Sequence, residues 1–390
     1  MSENISKYTQ CANCGACYNI CPQKAITVSS DSIFYQVQVD EEKCVGCGLC
    51  LDVCPVNKPE NHQNLQKAYG AIHRDNRVVK NSSSGGVFSA VAQYVIDQGG
   101  VVFGAVYSED FTEVSFASTD TLPLDALRRS KYVESRVNDC FQSVKAQLQN
   151  DRMVLFCGAP CQVAGLKRYL KKDYEKLITC DFSCGGLPAH GIYQQYLQEL
   201  QEMCHQTAVT DVNFRPKDYG WQIHSIRVRF SGEKQYKGLN GVDPYFYAFL
   251  HSGTSKREYC YSCEFGENHY ADLILADFWK YASISDYPRN DRGLSLVLTN
   301  SPKGEQILEK VGNILQLKPL QLESAAYNIK KNTPQEETMK RREAFLADVA
   351  KMGVFKAAQK QGMSGNIQKA KRNGRIAKAK NRIKALLKLH

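Results

Sequence analysis

Two copies of one cysteine pattern lie close together near the start of the chain. The first copy is CANCGACYNICP at residues 11–22, and the second is CVGCGLCLDVCP at residues 44–55, which gives a period of 33 residues. Both copies read C-x2-C-x2-C-x3-C-P. A tight loop with thiols at this spacing can surround a cluster of iron atoms with sulfur ligands. This repeat is the most specific signal in the chain.

The spacing resembles that of bacterial ferredoxins with two [4Fe–4S] clusters, in which the fourth cysteine of each run binds the other cluster. It predicts one cluster held by Cys11, Cys14, Cys17 and Cys54, and a second held by Cys44, Cys47, Cys50 and Cys21. The glycines between these cysteines let backbone amides approach the cluster sulfurs. Zinc is the alternative, but zinc sites usually take two separated CxxC pairs. Two adjacent clusters form a relay, so the pattern predicts electron transfer.

The composition is that of a globular protein, with 43% hydrophobic and 23% charged residues. No apolar window approaches the roughly 18 residues that cross a bilayer, and residues 1–11 have no signal-peptide core, so we expect a cytoplasmic location. In that compartment thiols stay reduced, which favours metal ligation over disulfides for the 16 cysteines. Twelve of the 50 basic residues lie in residues 351–390 without any acidic residue, so the net charge of +10 comes from the tail.

Beyond a polar linker at residues 56–66, strands and helices alternate in the predicted pattern. Apolar runs such as VVFGAVY, MVLFCG and LITCDF are typical of buried strands, and residues 86–97 and 139–149 have helical spacing. This alternation favours an α/β body with a mixed sheet. The predicted organisation is an α+β ferredoxin-like module at residues 1–60, the α/β body at residues 67–335, and a helical basic tail at residues 336–390.

Eight cysteines remain outside the repeat, and four of them occupy unusual places. Cys161 and Cys184 follow predicted strands at the edge where open α/β sheets place their sites. Cys260 and Cys263 form a CYSC pair. Four thiolates from three loops could hold a third cluster, although a redox dithiol at the CYSC pair and a Cys161 nucleophile with His190 as base are alternatives. We interpret the other four as packing or surface residues: Cys140, Cys157, Cys180 and Cys204.

The segment NSSSGGVFSAVA at residues 81–92 leads directly from hydroxyl and glycine residues into a predicted helix. Such an N-terminus suits a phosphate, but the local sequence alone favours a plain serine cap followed by a glycine turn. No dinucleotide fingerprint occurs in the chain. A flavin is the common converter between one-electron clusters and two-electron substrates.

The segments VLFCGAPCQVAGL, DFSCGGLP, YCYSC and ADLILADFW resemble the coenzyme F420 hydrogenase/dehydrogenase beta-subunit family, over about residues 67–335. The resemblance implies FAD and a [4Fe–4S] cluster in the body. Its cluster ligands fall on Cys161, Cys184, Cys260 and Cys263, and its flavin contacts fall on Ser83, Ser84, Gly85, Gly86, Ser130, Lys131 and Tyr132. Two motifs depart from the family pattern. CGGLPA stands where many relatives have Cys-His-Gly-x-Pro-Ser, and DFWK stands where they often have DFWG.

Together these features predict an iron–sulfur flavoprotein oxidoreductase that passes electrons between ferredoxin, or another redox protein, and a small organic acceptor. A non-catalytic electron-transfer subunit and a coenzyme F420-reducing subunit are the alternatives. The basic tail is interpreted either as a solvated segment or as a contact with a membrane surface or acidic partner. No aromatic residue interleaves its charges, so we expect no specific nucleic-acid binding.

Overall fold

The computed structural model describes residues 4–7, 10–60, 62, 64–205, 207–284, 291–329 and 333–363. The part of the predicted helical basic tail beyond residue 363 lies outside these described residues. Within them, no helix combines the length and apolar character needed to span a membrane.

The N-terminal module consists of a hairpin and two short helices that reflect the sequence repeat. Its elements are α1 (Ala16–Ile20), β1 (Ile26–Ser29), β2 (Gln36–Val39) and α2 (Leu49–Asp52). β1 and β2 pair antiparallel, as the segment between the two cysteine runs predicts. Each helix follows a glycine in the left-handed region, Gly15 with φ 90° and Gly48 with φ 73°, where a side chain would be strained. The third cysteine of each copy therefore lies on a short helix that starts at a glycine.

The body contains one large sheet and one small sheet. Its strands are β3 (Lys67–His73), β4 (Val101–Tyr107), β5 (Val114–Ser118), β6 (Val154–Cys157), β7 (Leu177–Phe182), β8 (Val209–Asn213), β9 (Ser225–Phe230), β10 (Gln235–Leu239), β11 (Leu273–Asp277), β12 (Ser295–Thr299) and β13 (Leu315–Leu320). The large sheet has the order β13-β3-β12-β11-β7-β6-β4-β5, and the small sheet has the order β10-β9-β8. β4, β6, β7 and β11 run parallel, whereas the remaining strands of the large sheet pair antiparallel. The predicted mixed α/β sheet is thus confirmed.

Helices cover both faces of the large sheet and extend towards the C-terminus. They are α3 (Asn76–Lys80), α4 (Val87–Asp97), α5 (Leu124–Leu127), α6 (Cys140–Gln149), α7 (Pro160–Leu170), α8 (His190–Met203), α9 (Pro244–Phe246), α10 (Tyr281–Ile284), α11 (Pro302–Lys310), α12 (Leu322–Ala325), α13 (Glu336–Met352) and α14 (Val354–Lys360). A π-helical turn, Tyr247–His251, continues α9. Because helices cover the four parallel strands, their side chains are buried in near-continuous apolar runs.

The N-terminal module shares a core with the body. Ala12 and Ala16 are buried in the same apolar cluster as Val163 and Leu166 of α7. A buried ion pair reinforces this junction, because Arg257 donates to Glu134 at 2.6 Å and also to the carbonyl oxygen of Cys11 at 3.3 Å. The module is therefore held directly against α7.

The last two described helices pack on α8. Phe345 and Val349 of α13 belong to a buried cluster that includes Tyr196 of α8. The carboxylate of Glu199 on α8 accepts the backbone N–H groups of Val354 and Phe355, at 2.5 and 3.1 Å. This carboxylate satisfies free amides at the start of α14 and complements the positive end of its dipole.

Candidate functional site

The first three cysteines of the first repeat and the last cysteine of the second repeat lie together. We call this set the first quartet: Cys11, Cys14, Cys17 and Cys54. Burial raises the pKa of the Cys14 thiol, and the neighbouring Cys54 and Cys11 raise it further. Burial likewise raises the pKa of Cys17, with the other three thiols acting in the same direction. The backbone N–H of Asn13 donates to the Cys11 Sγ at 3.3 Å. The structure therefore brings together the four residues that the crossed ferredoxin pattern predicts.

The second quartet lies closer to the surface. It consists of Cys44, Cys47, Cys50 and Cys21. Burial raises the pKa of Cys50, and Cys44 adds to the effect. Cys21 and Cys50 pack in one small apolar cluster, and Asn4 Nδ2 donates to the Cys44 Sγ at 3.6 Å. Cys47 is exposed, and the neighbouring Val45 is 65% exposed. The second quartet is thus the one that a redox partner can approach most directly.

Four cysteines of the body, distant in sequence, converge on a small cavity. This third quartet consists of Cys161, Cys184, Cys260 and Cys263. Cys161 lies in the first turn of α7, Cys184 follows β7, and the CYSC pair lies on and after a 3-10 turn. The sequence alone could not decide whether these residues meet, because 99 residues separate Cys161 from Cys260.

Electrostatic interactions connect the members of the third quartet. Burial raises the pKa of Cys161, and Cys263 and Cys184 then raise it further. Burial also raises the pKa of Cys263 to about 12, with Cys184 adding to the effect. Backbone amides point at the sulfurs: Gly186 N donates to the Cys184 Sγ at 3.4 Å, and Leu187 N donates to the Cys260 Sγ at 3.3 Å. Such amides are typical of sites where a cluster's sulfur atoms and thiolates accept hydrogen bonds.

The first and third quartets are adjacent. A Cβ atom at Gly165 of α7 would lie 3.1 Å from the Cys14 Sγ, so the helix approaches this thiol closely. The Cys161 Sγ lies 3.6 Å from the carbonyl oxygen of Ala12. Cys14 is also among the charges that raise the pKa of Cys161. The N-terminal module therefore lies directly beside the third quartet.

A larger cavity of about 290 Å³ opens beside the third quartet. It lies at the carboxyl ends of β6, β7 and β11, where open α/β sheets place their ligands. Its lining includes six of the seven predicted flavin contacts: Ser83, Ser84, Gly86, Ser130, Lys131 and Tyr132. Cys184, Gly186 and Leu187 line both the small and the large cavity. The two cavities are therefore separated only by this short segment.

Gly85, the remaining predicted flavin contact, has a packing role. A Cβ atom there would clash with the carbonyl oxygen of Ala71 and would lie 2.8 Å from the backbone nitrogen of Ser295. The Gly85 amide donates to the Ser295 Oγ at 2.9 Å. The lack of a side chain at Gly85 thus lets the turn pack closely against β3 and β12, while its neighbours in sequence line the cavity.

The two predicted flavin motifs are hydrogen-bonded to each other. Ser83 Oγ accepts from the backbone N–H of Ser130 at 2.8 Å and contacts the Ser130 hydroxyl at 3.0 Å. Gly86, with φ 92°, ends the turn and begins α4. The free amides and the positive dipole at the start of α4 therefore face the cavity beside Lys131.

Among the described residues, Lys131 is one of three basic residues that line the cavity, together with Arg128 and Arg129. Its Nζ donates to the carbonyl oxygen of Arg128 at 2.9 Å. Burial lowers the pKa of Lys131 to about 7, and the positive charge of Arg129 acts in the same direction. The Cys157 thiol, which also lines the cavity, opposes this shift.

Two cavity residues were not singled out from the sequence. Cys157 packs against the apolar cluster of the sheet, as its strand position predicts, and it also lines the cavity at the end of β6. Asp277, the aspartate of the DFW motif, also lines the cavity. Its carboxylate forms an ion pair with Arg215 at 2.6 Å and accepts a hydrogen bond from the Trp221 indole N–H at 2.8 Å.

His190, considered as a base for Cys161, lies elsewhere. It is buried, and its ring stacks on Tyr35 with the ring centroids 3.7 Å apart. Its Nδ1 lies 3.6 Å from the Glu134 carboxylate. These contacts place His190 at the junction with the N-terminal hairpin.

Within the described ranges, no three Cys, His, Asp or Glu side chains are grouped so that they could hold one metal ion. A single zinc ion needs all its sulfur ligands about 2.3 Å from one point, whereas a [4Fe–4S] cluster spreads four thiolates over four irons. The two kinds of centre therefore differ in the spacing of their ligands.

The paired cysteine runs and the mixed α/β body define an iron–sulfur, electron-transferring protein related to redox enzymes. Residues 10–58 match the 4Fe-4S dicluster domain. Residues 151–323 match the family model described as the C terminus of the coenzyme F420 hydrogenase/dehydrogenase beta subunit. The resemblance that the sequence motifs indicate is thus confirmed over these residues.

One solved structure with a similar chain is the xenon-derivatised F420-reducing [NiFe] hydrogenase complex from Methanosarcina barkeri. The two chains are 14% identical, with a TM-score of 0.48 over 74% of this chain and 95% of that chain. We infer nothing about activity from a likeness at this level. No curated protein matches the chain.

Proposed function

We propose that the protein is an iron–sulfur flavoprotein oxidoreductase. It relays electrons between ferredoxin, or another redox protein, and a small organic two-electron acceptor. When bound, the [4Fe–4S] clusters exchange single electrons and FAD exchanges pairs of electrons. The proposed domains are the dicluster module at residues 1–60, the flavin and cluster body at residues 67–335, and the C-terminal segment at residues 336–390.

The continuity of the sites from the surface to the large cavity carries this proposal. Cys47 of the second quartet is exposed, and Cys14 of the first quartet lies close to Cys161 of the third. Cys184 of the third quartet also lines the large cavity. Three cysteine quartets thus lead from an exposed thiol to the cavity wall.

The donor set of the third quartet fits a cluster. Burial raises the pKa of all four thiols, which makes their thiolate forms costly without a compensating positive charge. Iron supplies that charge, because metal binding displaces the thiol protons. The amides of Gly186 and Leu187 then donate to the thiolates that hold the cluster.

The large cavity fits a flavin at two points. The turn from Ser83 to Gly86 presents the start of α4, where free amides can bind a phosphate oxygen. Lys131 lies on the adjacent wall and can place a cation near the isoalloxazine ring. Apolar side chains such as Leu127 and Phe249 line other parts of the cavity and exclude water from the reacting atoms.

A purely electron-transferring subunit, whose flavin or cluster passes electrons to a partner enzyme, is the alternative function. Steady reduction of a small acceptor by the isolated chain distinguishes the two functions. A chain that only exchanges electrons with protein partners would not turn over such an acceptor, and a chain that reduces only a deazaflavin would be an F420-reducing subunit.

Anaerobic purification with quantitation of iron, sulfide and flavin tests the proposal directly. We expect about twelve irons, since each cubane holds four, and one FAD per chain. An iron content of eight per chain would overturn the proposal of a third cluster. The lack of releasable flavin would overturn the flavoprotein assignment.

A further inference from the structure

Lys256 packs beside Gly186, a residue that lines both the small cavity of the third quartet and the large cavity. A Cβ atom at Gly186 would lie 2.8 Å from the Lys256 Cδ and 3.3 Å from the Cys260 Cβ, so the lysine stem packs against the segment that separates the two cavities. The Lys256 Nζ lies 5.8 Å from the ring centroid of Phe249, which lines the large cavity. It lies 6.0 Å from the ring centroid of Tyr261, which stands between the two cysteines of the CYSC pair. Aromatic faces therefore flank this ammonium group.

The charges that act on Lys256 are those of the third quartet. Burial lowers the pKa of Lys256, whereas Cys260 and Cys184 raise it. The effect is mutual, because Lys256 lowers the pKa of Cys184 against the larger opposing effect of burial. A half-buried ammonium group flanked by aromatic rings is costly unless negative charge lies nearby. The thiolates of the third quartet provide such negative charge.

We infer that the positive charge of Lys256 sets the reduction potential of the third cluster and thereby draws electrons towards the large cavity. This inference rests on the proposed function, because it requires a cluster on the third quartet. A [4Fe–4S] cluster with four thiolates has a net negative charge, which increases by one when it accepts an electron. A fixed cation nearby stabilises the reduced form more than the oxidised form, and local charge is one of the factors that set cluster potentials.

The position of Lys256 makes this effect selective. The first quartet packs against α7, and the cations near its Cys54 and Cys11 are Arg168 and Arg257. Lys256 acts instead on Cys184 and Cys260 and packs beside Gly186. Its charge therefore raises the potential of the last cluster before the cavity more than that of the preceding cluster.

The test compares Lys256→Met, Lys256→Arg and the control Lys303→Met in the full-length protein loaded with its clusters. Lys303 suits the control because its Nζ donates to the carbonyl oxygens of Tyr174 and Leu177, at 2.8 and 2.9 Å. Leu177 starts β7, so Lys303 lies at the far end of the strand that leads to Cys184. Iron content is measured first, and the clusters are then titrated with dithionite and followed by EPR. The signal that Cys161→Ser lacks identifies the third cluster.

We expect all variants to hold about twelve irons, four for each cubane. In Lys256→Met the ratio of reduced to oxidised third cluster at a fixed ambient potential should fall at least tenfold, which is about 59 mV for a one-electron couple. Lys256→Arg should restore most of the wild-type ratio, and Lys303→Met should leave it unchanged. If Lys256→Met loses four irons, Lys256→Gln replaces it in the titration.

Failure of the inference and failure of the proposed function give different results. If the wild-type protein held only eight irons, no third cluster would be present, and the proposed function itself would be overturned. Twelve irons in every variant, with a third-cluster potential that Lys256→Met leaves unchanged, would overturn the role of Lys256 alone.

Discussion

Cys14 of the N-terminal module and Gly165 of α7 approach so closely that a methyl group at residue 165 would lie 3.1 Å from the Cys14 Sγ. Glycine favours this approach, because a side chain at residue 165 of the regular helix would force the neighbouring loop to shift. The contact brings the first quartet next to Cys161 of the third. This helical position is therefore one of the points at which the two modules pack closely.

Replacing this glycine should slow electron flow between the modules. In Gly165→Leu the added side chain displaces the loop around Cys14, and we expect flavin reduction by reduced ferredoxin to slow at least tenfold. Stopped-flow absorbance measures that rate. Gly312→Leu is the control, because residue 312 lies in a turn after α11 at the other side of the sheet. An unchanged rate in Gly165→Leu would show that the close approach does not govern transfer.

The ligand set of the third quartet predicts a selective loss of iron. Cys161→Ser removes one thiolate from the body, so we expect about eight of twelve irons to remain, with the N-terminal pair of cubanes intact. Cys157→Ser is the matched control, because Cys157 is half-buried and precedes Cys161 by four residues but lies outside the quartet. It should retain all the iron. Iron and sulfide assays make the comparison, and equal iron in the two variants would contradict the assignment.

Loss of the Ser83 hydroxyl should weaken flavin binding. Ser83→Ala removes the oxygen that accepts from the half-buried Ser130 amide at 2.8 Å, and one such hydrogen bond contributes about 0.5–1.5 kcal/mol. We expect the Kd for FAD to rise by up to about tenfold. Fluorescence titration of flavin-free protein measures this change, with Ser143→Ala on the exposed face of α6 as control. Equal affinities in the two variants would argue against flavin binding at this turn.

The charge of Lys131 predicts a pH-dependent flavin potential. Burial lowers the pKa of Lys131 to about 7, so the ammonium form is present below that pH and is lost as the pH rises through it. The cation stabilises the anionic reduced flavin, and this stabilisation is therefore largest at low pH. The difference in flavin midpoint potential between wild type and Lys131→Met should be positive below about pH 7 and should shrink above it. Spectroelectrochemical titration measures the difference, and a value independent of pH would exclude this role.

The exposure of the second quartet predicts the order of iron loss. Cys47 is exposed, whereas Cys14 and Cys161 are buried. An iron chelator under mildly oxidising conditions should therefore remove about four irons rapidly and leave about eight, one cubane being lost first. Cys47→Ser should lack this fast phase. If the wild-type protein lost all its iron in a single phase, this result would contradict the greater exposure of the second quartet.

Most elements of the large sheet could be predicted from short patterns. The apolar runs VVFGAVY, MVLFCG and LITCDF contain β4, β6 and β7. The sequence pattern does not predict β13, because Pro319 and alternating polar residues weaken its strand signal. It lies at the edge of the sheet, where proline is tolerated because one side of the strand needs no hydrogen-bonding partner.

The role of the turn at residues 83–86 depends on contacts outside its local sequence. Its residues favour a plain helix cap when read alone, whereas the family resemblance predicts a flavin contact. In the structure, Gly85 packs against β3 and β12 while Ser83 bonds to Ser130, 47 residues away. A short window cannot distinguish these roles, because each depends on a strand or loop distant in sequence.

The sequence by itself determined the chemistry of the N-terminal module. Spacings of two and three residues keep cysteines within one loop, so the ligand type and the kind of metal centre follow from local geometry. Tertiary structure alone decided that Cys161, Cys184, Cys260 and Cys263 meet, that Cys14 lies beside them, and that the large cavity opens next to Cys184. These relationships arise from the packing of α7, the end of β7 and a distant turn, and packing between distant segments has no signature in residue spacing.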